Sequence, residues 1–173
     1  MRILNSHDIA GSWATLLLPI NSDDSIDYGA LAGVKVCDGD TDWYTRMKQY
    51  CPGMSIFVPG HRLATGIQNG AHGAYSNMAC LNPAAAQRWY RQMLSSPAES
   101  LELESRVQQF MTECIFPFIY AGYSNMAVDK FLAAVGGWGP VTERLRWPYH
   151  SIEQSAATEI REKARRIIPE FMK

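Results

Sequence analysis

Lys35 carries the clearest chemistry in this chain, because it stands inside Gly33-Val34-Lys35-Val36-Cys37, a short apolar run that breaks into Asp38-Gly39-Asp40. A run of this length bounded by turn residues reads as a buried strand. Alternation puts Gly33, Lys35 and Cys37 on one face and Val34 and Val36 on the other, so the lysine has small neighbours on its own side. Burial disfavours the charged form of an amine, and a free amine attacks a carbonyl to form a Schiff base. A lysine at a strand end can equally lay its stem on apolar surface and keep its head in water. Both readings fit this segment taken alone.

Other reactive side chains lack a working pattern. Asp38, Asp40 and Asp42 match the first three ligand positions of an EF-hand loop, but Trp43 stands where that loop needs glycine and Gln49 where it needs glutamate. His7, His61, His72 and His150 are dispersed and share no ligand spacing with Cys37, Cys51, Cys80 and Cys114. No metal is expected. His61 follows the Gly60 turn and reads either as a pocket residue or as a surface one. Ser76 lies in no G-x-S-x-G segment, which leaves no basis for a hydrolase triad. Tyr120, Tyr123, Trp138, Trp147 and Tyr149 come without a basic stripe, so packing explains them better than base stacking.

These groups need elements to hold them. At 173 residues and 47% apolar, the chain is long enough for one real core. Its net charge of −1, with both signs interspersed, steers it toward neither nucleic acid nor an anionic membrane. The N-terminal residues turn polar too soon for a signal peptide, no apolar run reaches membrane length, and the scattered cysteines read as reduced thiols. A cytoplasmic protein is expected. Residues 12–20 read as a buried strand, 21–25 as a turn and 26–32 as the start of a helix. A helix is expected over 42–50, strands over 54–59 and 71–76, and a short helix over 63–68. Asn82-Pro83 caps a helix over 83–94. Pro97 opens a long helix, Ser124 caps another that ends at Gly136-Gly137, and Ser151 with Gln154 forms a capping box for the last. Its apolar stripe is Ala157, Ile160, Ala164, Ile167 and Ile168. Strands alternating with helices argue for parallel βα units, here followed by helices alone. The expected division is 1–94 and 95–173.

Taken together, the segments resemble the dihydrodipicolinate synthase/N-acetylneuraminate lyase family of Schiff-base aldolases, (β/α)₈ barrels with a C-terminal helical extension. Gly33-Val34-Lys35 with Gly39-Asp40 is similar to the family's sixth strand, which bears the Schiff-base lysine. Gly60 matches the end of its seventh strand. Gly70-Ala71-His72-Gly73-Ala74-Tyr75-Ser76, with Pro83 beyond it, matches its eighth. Lys130 before a glycine pair and Arg146-Trp147-Pro148-Tyr149 are similar to the extension. Residues 13–31 resemble the family's first strand and first helix, after which the chain passes directly to the sixth strand. A complete barrel has about 250 residues. The segment from the first helix through the fifth strand, on the order of 120 residues by the same reckoning, has no counterpart here. With it go the second-strand segment that holds the substrate carboxylate and the fifth-strand tyrosine that relays protons.

The resemblance implies an α/β fold, an incomplete TIM barrel keeping the first, sixth, seventh and eighth strands. Their sheet order would be sixth, seventh, eighth, first, with raw edges and an open inner face that invite a homo-oligomer. It implies a lyase that forms a Schiff base on Lys35 with pyruvate or a related 2-keto acid. The backbone of Gly73 and Ala74 would line the pocket, and no cofactor, nucleic acid or membrane is involved. The alternative is a non-catalytic family member or an interaction subunit.

Overall fold

The computed structural model describes residues 2–4, 16–18, 32–37 and 39–172. The expected turn at 21–25, the helix start at 26–31 and Asp38 lie outside the described residues.

Alternating burial builds the parallel sheet. Strand β3 (Gly33–Lys35) buries Val34, and β4 (Ser55–Pro59) buries Ile56 and Val58. Strand β5 (Gly73–Tyr75) completes the order β3-β4-β5. Both pairings are parallel, with Lys35 opposite Phe57 and Phe57 opposite Gly73. The crossovers are helical, as parallel neighbours require. Helix α1 (Thr41–Tyr50) is capped by Asp40, whose carboxylate accepts from the Trp43 N–H at 2.7 Å, and it buries Trp43, Tyr44 and Met47. Asp40, read above for its position in a calcium loop, thus serves a helix end. Helix α2 (Leu63–Asn69) follows a 3₁₀ turn at Gly60–Arg62 and lays Gly66 against Val58.

The remaining strands correct one expectation. Strand β2 (Leu16–Leu18) falls within the expected 12–20 segment but pairs antiparallel with β1 (Arg2–Leu4), in register Ile3 to Leu17. It does not extend the parallel sheet beside β5. The physical reason is proximity along the chain: a pairing of near neighbours closes a short loop at little entropic cost.

Residues up to Tyr75 form one compact unit, and Ser76–Lys173 form another. In the second unit, helices α3 (Asn77–Leu81), α4 (Pro83–Ser95) and α5 (Pro97–Phe110) precede a π turn (Met111–Ile115) and α6 (Phe116–Tyr120). Pro117 accounts for the π turn, since it lacks the N–H that would bond residue 113 and its ring would strike that carbonyl. Helices α7 (Asn125–Gly136) and α8 (Gln154–Ile167) complete the unit.

Buried Asn82 caps α4 by accepting from the Ala85 N–H at 3.0 Å, and its amide donates to the Phe171 carbonyl at 3.0 Å. Trp89 donates to the Ser100 carbonyl and meets Phe171 edge-on. These contacts tie residues 82–95 to the later helices, so the compact unit begins earlier than the expected division after residue 94. Ser124 caps α7 as expected. Ser151 does not cap α8; its hydroxyl accepts from the Leu145 N–H at 2.8 Å, and Glu153 occupies the cap position without a side-chain bond. The Arg161 guanidinium donates to the Ala134 and Val135 carbonyls at the end of α7. Arg106 holds Glu170 through two bonds of 2.9 and 2.8 Å.

Candidate functional site

The C-terminal ends of parallel strands are where barrels and open α/β sheets place their chemistry. Lys35 ends β3, Pro59 ends β4 and Tyr75 ends β5. Alternation puts Gly33, Lys35, Ser55, Phe57, Gly73 and Tyr75 on the sheet face opposite Val34, Ile56 and Val58. The division of faces follows the sequence expectation, with Val36 buried and Cys37 exposed. The burial expected for Lys35 does not. Its side chain is exposed, because the face it shares is open among the described residues.

That face carries an aromatic floor. The Phe57 ring spreads over both neighbouring strands: a Cβ added at Gly33 would stand 3.2 Å from its Cε2, and one at Gly73 would stand 3.4 Å from its Cδ1. At Gly33 a Cβ would also stand 2.8 Å from the Ser55 carbonyl oxygen, so that position takes no side chain without a shift, whereas at Gly73 it would make ordinary contact with the ring. The Tyr75 ring meets Phe57 edge-on, with centroids 5.8 Å apart at 68°. Lys35 Nζ lies over the Tyr75 ring, 5.7 Å from its centroid. Neighbouring strands are about 4.8 Å apart, so the amine leans across β4 to reach a residue two strands away. Tyr75 remains 66% exposed, which leaves space above the amine.

His72 fixes the start of β5. Its backbone N–H donates to the Ile56 carbonyl at 2.8 Å, and its Nδ1 accepts from the Ile56 N–H at 3.1 Å. The ring therefore closes the sheet instead of facing the lysine. Of the two other expected residues, Gly73 shares the Lys35 face beneath Phe57, and Ala74 takes the opposite side in register with Val58. Neither ends the strand; Tyr75 does. Phe57 and Tyr75 were missed by sequence reasoning, although applying the same alternation to β4 and β5 places both beside Lys35.

A separate cleft lies among Cys37, Tyr44, Pro59, Arg62 and Thr65. Its volume of about 10 Å³ admits a water and no substrate. Lys35, Gly73 and Ala74 do not line it. Among the described residues no cluster of histidine, cysteine and carboxylate is placed to hold a metal, and no helix is long and apolar enough to cross a membrane.

No protein-family model matches the chain, and no curated protein matches it. Solved structures do. A Sulfolobus solfataricus 2-keto-3-deoxygluconate aldolase variant in complex with L-2-keto-3-deoxy-galactonate is similar at a TM-score of 0.64 and 15% identity, over 82% of this chain and 47% of that one. The N-acetylneuraminate lyase of Fusobacterium nucleatum is similar at 0.54 and 17%, over 82% and 46%. A dihydrodipicolinic acid synthase family protein of E. coli K12 in complex with pyruvate is similar at 0.57 and 14%, over 78% and 45%. The chain thus spans less than half the length of the structures it matches. At these identities the likeness is one of fold: the chain is similar to part of the TIM barrel of the dihydrodipicolinate synthase/N-acetylneuraminate lyase family.

Proposed function

We propose that this chain is a Schiff-base lyase or aldolase acting on pyruvate or a related 2-keto acid through Lys35. The observation that carries the reading is the position of Lys35 at the C-terminal end of a parallel strand, on a face shared with Gly73, in a fold similar to solved aldolases and lyases. The free amine's lone pair forms a bond to the keto carbon, and the carbonyl oxygen takes up protons and leaves as water. A protonated C=N remains, which draws electrons from the neighbouring carbon–carbon bond. Strand β3 with Lys35, β4 and β5 correspond in this reading to the sixth, seventh and eighth barrel strands. The absent carboxylate-binding and tyrosine segments would come from another chain, and the face and edges of the sheet, open among the described residues, favour such an oligomer. A general acid/base contributes about 10²–10⁴-fold, so the chain alone turns over slowly if at all.

The exposure of Lys35 favours a second reading, in which the sheet face binds a partner and performs no catalysis. Borohydride reduction in the presence of pyruvate separates the two. Intact-mass analysis should find one reduced adduct on the wild-type chain and none on Lys35→Ala. A folded wild-type chain that takes up no adduct would refute the lyase reading and leave the binding one.

A further inference from the structure

We infer that Tyr75 is a positioning residue for Lys35, its ring face receiving the amine and then the cationic imine that the amine becomes. The inference rests on the proposed imine chemistry at Lys35. An exposed lysine has several rotatable bonds and scatters its head group through solvent. Here the amine is drawn across β4 to stand 5.7 Å from the Tyr75 centroid. The ring is itself held, edge-on to Phe57 at 5.8 Å, and Phe57 is seated in the space left by Gly33 and Gly73. The arrangement is a relay of position: Gly33 leaves room for Phe57, Phe57 orients Tyr75, and Tyr75 aims the amine. A ring face attracts positive charge through its quadrupole. The neutral carbinolamine that precedes water loss receives little of this attraction, whereas the protonated C=N carries a full charge at the same nitrogen. Loss of water converts the one into the other, so the ring favours the forward step. The departing water carries the keto oxygen, one proton that came from the amine and one proton supplied by solvent, so no other co-reactant is required.

The test separates ring from hydroxyl and position from chemistry. Tyr75→Phe keeps the quadrupole, while Tyr75→Leu removes it at an exposed position. With pyruvate and borohydride, Tyr75→Leu should trap adduct about two- to fivefold more slowly than wild type, the range a surface cation–π contact supports. Tyr75→Phe should trap at the wild-type rate. Equal rates in Leu and wild type would overturn the inference, as would a Phe variant as slow as Leu, which would assign the effect to the hydroxyl. A second measurement does not depend on imine formation. In the chain with ¹³C-dimethylated lysines, the resonance assigned to Lys35 by its loss in Lys35→Arg should show a ring-current shift in wild type and Tyr75→Phe, and lose it in Tyr75→Leu. Absence of that shift from wild type overturns the positioning. Its presence in a chain that traps no adduct overturns the lyase reading and, with it, the role assigned at the imine.

Discussion

Asn82 joins two distant parts of the helical unit, and its replacement tests that account quantitatively. The side chain is buried, and both ends of its amide are used, one on the Ala85 N–H and one on the Phe171 carbonyl. Losing an N-cap costs about 1 kcal/mol, and leaving a buried carbonyl without a donor costs about 1–3 kcal/mol. Asn82→Ala should therefore destabilise the unit by about 2–4 kcal/mol. For a unit of roughly 100 residues, each kcal/mol lowers Tm by about 4–8 °C, so a drop of at least about 8 °C is expected. Urea unfolding followed by far-ultraviolet circular dichroism reads the change as a lower midpoint at unchanged slope. Asn82→Ser retains an acceptor for Ala85 and loses only the bond to Phe171, so it should recover about 1 kcal/mol relative to alanine. If Asn82→Ala lies within about 0.5 kcal/mol of wild type, the range of an ordinary surface change, or if serine is no better than alanine, the two-bond account fails.

Two further expectations concern packing and protons. A Cβ at Gly136 would stand 1.7 Å from the Leu81 carbonyl oxygen, whereas none at Gly139 would meet anything within 4 Å. Gly136→Ala should cost about 3 kcal/mol or more and reduce soluble yield, with Gly139→Ala keeping the wild-type Tm as the control. Burial pushes the Cys80 thiol above its ordinary value of 9.0, with the nearby Asp129 carboxylate adding to it, and burial likewise raises Cys114. The folded state holds these protons more tightly than the unfolded chain does. Stability is thus intact below pH 9.0 and falls as pH rises from there toward the folded-state values. The urea midpoint should decline above that pH, and less steeply when Cys80 is replaced by alanine.

Local chemistry made much of this fold readable. The glycine-bounded run around Lys35, the cap at Asn82 with Pro83 behind it and the Ser124 cap each depend on residues a few positions apart, and each forms where its pattern stands. The misses depend on distant partners. Ser151 and Gln154 have the spacing of a capping box, but the Leu145 N–H competes for the same hydroxyl and takes it. Residues 16–18 have the composition of a strand, which says nothing about whether the neighbour is β5 or β1. The candidate site divides in the same way. Lys35 is legible from its own segment, while its exposure and its approach to Tyr75 follow from what stands two strands away.

The seating of Phe57 over Gly33 and Gly73 has a consequence for how this face can vary. Any side chain at Gly33 meets the ring and the Ser55 backbone oxygen, the latter at 2.8 Å. A smaller residue at 57 would leave a trough between the glycines and remove the edge that Tyr75 leans on. The three positions, separated by 24 and then 16 residues along the chain, therefore vary together. Changing Gly33 or Phe57 singly would mostly yield clashes or holes, whereas a library that exchanges all three together can move bulk from the central strand to its flanks and reshape the floor beneath Lys35 without disturbing the valines and isoleucine on the other side of the sheet.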